Sequence, residues 1–169
     1  MLNKYGRIGF AAVAFAMAVF WTIKGLYIPA TAMLIGVGFI VYGYLKFGTV
    51  YLAFRQLRSG KLDDAKKTLN QIKDKDKLNK EHLAYFHFVW GYIFFAEENH
   101  QKAIVEFEEA LKGKIKTTHD QAMINVNLSS LYLKTGNKDK AVLKLAAAKE
   151  LKYKKALDSD IEALEKQLV

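Results

Sequence analysis

Three segments of this chain, 57–65, 95–103 and 133–141, recur at a spacing of 38 residues. Each runs from an apolar residue through a polar turn to an alanine, at Ala65, Ala103 and Ala141. Downstream the matched positions continue as Leu69 and Ile72, Phe107 and Ala110, Leu145 and Ala148. Upstream they are Leu52 and Ala53, Trp90 and Gly91, Leu128 and Ser129. A unit this short cannot bury its own apolar face and must stack against its neighbours, so a recurrence of this kind narrows the fold to an array of like elements. Large apolar residues at helical spacing, interleaved with alanine and glycine, make those elements helices whose crossings can be close.

The pattern resembles the tetratricopeptide repeat family, whose unit is two antiparallel helices joined by a tight turn. Trp90, Gly91, Phe94, Ala103, Phe107 and Ala110 in the middle copy match the family's order of a large and small pair, an aromatic, a small crossing residue, an aromatic and another small residue. The third copy keeps Leu128, Tyr132, Gly136, Ala141 and Ala148, while the first has Gln56 where an aromatic is expected. The period exceeds the family's usual value of about 34, and the excess is placed in longer polar links at 73–79 and 112–118. The resemblance implies an all-α solenoid over residues 46–169. Its repeats fall at about 46–79, 84–117 and 122–155, with a terminal capping helix at 159–169. Thr118 with Gln121, and Ser159 with Glu162, have the spacing of capping boxes at helix starts.

Hydropathy divides the chain differently. Between Ile8 and Leu45 the only charged residue is Lys24, whereas 23 basic and all 17 acidic residues lie from Lys46 onward. Two apolar runs, Ile8 to Ile23 and Leu26 to Leu45, read as a transmembrane helical hairpin with spans of about 6–24 and 27–45 and Pro29 in a first turn where a helix tolerates it. Ala12, Ala16, Ala32 and Gly36 offer small residues for close packing of the two helices. Lys4 and Arg7 before the first run, and Lys46, Arg55 and Arg58 after the second, outweigh Lys24 in the turn. That bias places both termini and the repeats on the cytoplasmic side, and the resemblance implies a small bacterial-type, membrane-anchored member of the family, integral to the bacterial cytoplasmic membrane. With no proline between the second run and the first repeat, a nearly continuous helix is expected, bent at Gly43 or Gly48.

In the family the first helix of each pair lines the concave face. The resemblance therefore implies a stripe of Phe47, Val50, Phe54 and Leu57, another of Tyr85, Phe88, Tyr92 and Phe95, and a third of Met123, Val126, Ser130 and Leu133. Asn127 is an isolated polar candidate beside them. The surface suits an apolar segment or a helix better than a terminal carboxylate. Its occupant is a foreign protein, a second copy of this chain, a lipid or small hydrophobe, or the chain's own last helix through Ile161, Leu164 and Leu168. The expected function is a membrane-anchored scaffold, adaptor or assembly factor. The alternative is a structural subunit of a larger membrane complex with the groove permanently buried.

Chemistry is not indicated. The chain has no cysteine and four histidines, His82, His87, His100 and His119, in no metal-binding spacing. No phosphate loop, nucleophile elbow or paired-carboxylate pattern occurs, and Glu106, Glu108 and Glu109 read as a solvated helix flank. No catalytic residue, metal or cofactor is therefore expected. The net charge of +9 is spread as single lysines, with Arg55 and Arg58 the only arginines beyond residue 45, so nucleic acid is not an expected partner.

Overall fold

The structure, a computed structural model, describes the backbone of residues 4–168 and the side chains of all but residues 4–8, 10, 11 and 40–47 within that span. The elements are all helical: α1 (Lys4–Ile23), α2 (Tyr27–Arg58), α3 (Leu62–Leu69), α4 (Lys80–Ala96), α5 (His100–Lys112), α6 (Thr118–Lys134), α7 (Lys138–Lys149) and α8 (Asp158–Leu168). Short 3-10 turns at Lys75–Lys77 and Lys155–Leu157 interrupt two of the links. The chain divides into two compact units, Met1–Gly48 and Thr49–Val169. Helix α2 is broken where they meet, at Gly48, whose φ of 42° and ψ of 176° are open in practice to glycine alone. Of the two glycines expected to bend this helix, the break falls on Gly48.

In the first unit, Gly25 (φ 74°) turns the chain between α1 and α2. Ala14, Ala18 and Ala30 are buried. The small residues expected at the helix contact, Ala12, Ala16, Ala32 and Gly36, are instead exposed, on the other side of their helices. Val13, Phe15, Phe20, Ile23, Ile28 and Phe39 are also exposed.

The transmembrane hairpin is corrected here. Among the described residues no helix is long and apolar enough to cross a membrane. Residues 6–8, 10, 11 and 40–45 of the expected spans lie outside the described side chains. With the hairpin go the membrane anchor, the bilayer as a partner, the assignment to a bacterial cytoplasmic membrane and the membrane-complex alternative.

The second unit is built from helical hairpins stacked in chain order. The last ten residues of α2 precede α3, α4 packs along α5, α5 against α6, α6 along α7, and α8 against both α6 and α7. Helix starts are set by side chains that accept from otherwise unpaired backbone N–H groups. Asn79 caps α4, Asn99 caps α5, Thr117 caps α6 and Asn137 caps α7. Asn99 and Asn137 are 38 residues apart, and the matching position before α3 is Lys61, which makes no cap bond. Helix α3 is accordingly the shortest of the pairing helices, ending at Leu69. The cap of α6 is Thr117, not Thr118. The Thr118 hydroxyl donates instead to the Lys152 carbonyl at 2.6 Å, and Ser159 lies within the first turn of α8.

The turn inside each hairpin needs one residue with positive φ. It is Gly60 (72°), Glu98 (58°) and Gly136 (80°) at successive 38-residue steps. A side chain in this region costs about 1–2 kcal/mol, partly offset because glycine loses about 0.5–1 kcal/mol of backbone entropy. Glu98→Gly is therefore expected to stabilise the protein by about 0.5–1 kcal/mol, seen as a rise of a few degrees in Tm. A fall in Tm would show that the Glu98 side chain contributes more than its backbone costs.

Candidate functional site

The predicted stripes fall on α2, α4 and α6, and the structure joins them through aromatic rings and hydrogen bonds. Phe54 meets Tyr85 edge-on at 4.9 Å between ring centroids and lies 5.5 Å from Phe88. Phe88 continues to Tyr92 at 5.5 Å and to Phe107 of α5 at 6.3 Å. Between α4 and α6, the Tyr85 hydroxyl donates to Asp120 Oδ2 at 2.9 Å and accepts from the Lys116 N–H at 3.3 Å. The Asn127 amide donates to the Tyr92 oxygen at 3.0 Å and to the Met123 carbonyl at 2.7 Å.

These contacts divide the candidate residues. Phe54, Tyr85, Phe88 and Val126 are buried, with Phe88 fully so. They are core, and a partner cannot touch them while the fold is closed. Tyr92, Phe95, Met123, Asn127 and Leu133 are half-buried. Phe47 lies outside the described side chains. Helix α8 sits over the α6 stripe: Ile161 and Leu164 are buried in one cluster with Ala122, Val126, Leu145 and Ala148, and Met123, Leu133 and Leu168 pack at its margin. Lys134 lies over the Phe95 ring at 5.4 Å. The part of the stripe facing outward is therefore Tyr92, Phe95 and Asn127, bordered by Leu133.

Of the α5 glutamates, Glu106 and Glu108 are not a solvated flank, whereas Glu109 pairs only with Lys112 of its own helix. Glu106 Oε2 is 2.7 Å from Nδ1 of the buried His87. Glu108 accepts from the Tyr132 hydroxyl at 2.9 Å and pairs with Lys144 of α7 at 2.8 Å. These bonds cross between helices, and spacing along one helix carries no signal of them. Among the described residues no group of three or more acidic or histidine side chains is placed to hold a metal ion.

The buried phenols give the unit a pH dependence. Burial, reinforced by the hydrogen bond to Glu108, pushes Tyr132 up to about 12. Burial and the bond to Asp120 raise Tyr85, and burial raises Tyr92 against the opposing effect of Asn127. An unfolded tyrosine ionises near pH 10. A folded value above that means the stabilisation is complete below pH 10 and is lost as pH rises through the folded values. Helix content should therefore fall above about pH 10, together with the rise of tyrosinate absorbance. Ionisation of every tyrosine near pH 10 with helicity intact would contradict the buried phenol bonds.

No family model, curated protein or solved structure matches this chain. Membership of the tetratricopeptide repeat family is accordingly withdrawn.

Proposed function

We propose that the helical unit 49–169 is a protein-interaction scaffold that receives an amphipathic helix of a partner along Tyr92, Phe95, Asn127 and Leu133. The observation that carries this reading is that the adjoining part of the same stripe already holds a helix. Helix α8 presents Ile161, Leu164 and Leu168 at helical spacing and buries the first two against Ala122 and Val126. A surface that accepts one such edge offers the chemistry for another: large apolar side chains, with Asn127 and the Tyr92 oxygen as polar fixed points. No catalytic step, metal or cofactor belongs to this function.

Photo-crosslinking residues at Tyr92 and Phe95, with Lys112 as the surface control, test it in cells. The expected result is a distinct protein trapped from both stripe positions and not from the control, with capture abolished by Phe95→Asp. Trapping of this chain alone, or of nothing, would mean that the half-buried stripe is only the margin of the core.

A further inference from the structure

Alternation of the stacked hairpins sends the links between hairpins to one end of the helices and the turns inside hairpins to the other. The two ends differ in charge. The links 70–79, 113–117 and 150–157 contain eight lysines against three acidic residues, whereas the turns 59–61, 97–99 and 135–137 hold one lysine against two glutamates. Contacts tie the links into one edge. Lys116 Nζ lies 3.8 Å from Glu81 Oε1 in the first turn of α4. The Thr118 hydroxyl holds the Lys152 carbonyl, and the Lys154 N–H reaches His119 Nδ1 at 3.4 Å.

Lysines gather near helix C-termini because they offset the dipole there, but α5 and α7 already carry Lys112 and Lys149 in their last turns for that purpose. The link lysines are additional. All are exposed, and among the described residues Lys73, Lys75, Lys114, Lys152, Lys154 and Lys155 make no ion pair. Three neighbouring acids are already engaged, Glu81 with Lys116, Glu109 with Lys112 and Asp74 with Lys77, which leaves Asp76 and Glu150 on the links against these six lysines. The edge therefore carries a surplus of mobile point charges that the fold does not use.

We infer that this edge is a second interaction surface, separate from the stripe, and that it takes an acidic segment of a polypeptide, rich in aspartate and glutamate. A nucleic acid fits less well. The edge has no arginine to fork onto phosphate, and its one aromatic, Tyr153, is packed against the cluster under α8 and is not free for base stacking. Lysines distributed over three separate links suit carboxylates spaced along a flexible chain, each pair forming and breaking independently.

Two variants of equal net charge make the test, both in the full chain. Lys114→Glu with Lys155→Glu reverses charge on the edge, and Lys61→Glu with Lys138→Glu does so at the opposite end. A fluorescein-labelled polyglutamate peptide is titrated by anisotropy at about 0.15 M salt, where long-range attraction is screened beyond about 8 Å. Circular dichroism confirms that both variants keep wild-type helicity. The edge variant is expected to lose at least about tenfold in affinity, the control less than about threefold, with further weakening as salt rises. Equal losses in the two variants, or no binding by the wild type, would overturn the inference. So would tighter binding of oligothymidylate than of polyglutamate. None of these outcomes depends on crosslinking from Tyr92 and Phe95, so the two surfaces can fail separately.

Discussion

Replacing Phe88 with alanine should remove about 3–5 kcal/mol of stability, the usual cost of deleting a fully enclosed aromatic ring. Phe88 is completely buried, and its ring contacts Phe54, Tyr85, Tyr92 and Phe107 at centroid distances of 5.5–6.3 Å. It therefore joins the end of α2, the stripe of α4 and the crossing with α5. A domain is stable by only about 5–15 kcal/mol, so urea denaturation should show the midpoint falling by about a fifth or more. Phe95→Ala, on the half-buried end of the same stripe, removes less area and should cost about 1–2 kcal/mol. That contrast separates core from candidate surface. If the two substitutions cost the same, Phe88 is not the centre of the packing and the stripe is less closed than the ring contacts imply.

Much of the second unit was legible because its determinants are local and repeat. The positive-φ turns at Gly60 and Gly136 and the caps at Asn99 and Asn137 sit at matching 38-residue positions, each with its own physical reason. Which face of α4 is buried was not legible. Nearly every position from Ala84 to Phe95 is apolar, because α4 is enclosed by its neighbours, and a helix without a polar side gives periodicity nothing to read. Tyr85 and Phe88 consequently looked like surface when they are core. Glu106 and Glu108 failed in the opposite direction: on α5 they resemble a solvated flank, and only their partners on α4, α6 and α7 show otherwise. The apolar runs before Gly48 were read as spans from length and hydropathy alone. Among the described residues no helix is both long and apolar enough to cross a bilayer. Chemical class of partner was the least legible property, since it depends on which side chains three separate links bring to one edge.

Gly91→Val should cost about 3 kcal/mol, the upper end of what overpacking a closed helix crossing usually costs. A Cβ added at Gly91 would stand 2.5 Å from Phe107 Cδ1 and 2.7 Å from Cε1, inside any tolerable contact. The ring cannot swing clear, because Phe107 is fully buried and held between Tyr92 at 5.5 Å and Phe88 at 6.3 Å. Gly91→Ala meets the same obstacle with fewer atoms and gains up to about 1 kcal/mol of helix preference, so its net loss should be smaller. Phe107→Ala alone should cost about 3–5 kcal/mol by leaving a cavity. Combined with Gly91→Val, the new methyl groups enter that cavity, and the double variant should be more stable than the sum of the single losses by about 1–3 kcal/mol. Additive losses in the cycle would mean that Gly91 and Phe107 do not share the crossing, and that glycine is needed at position 91 for a reason other than the approach of α4 to α5.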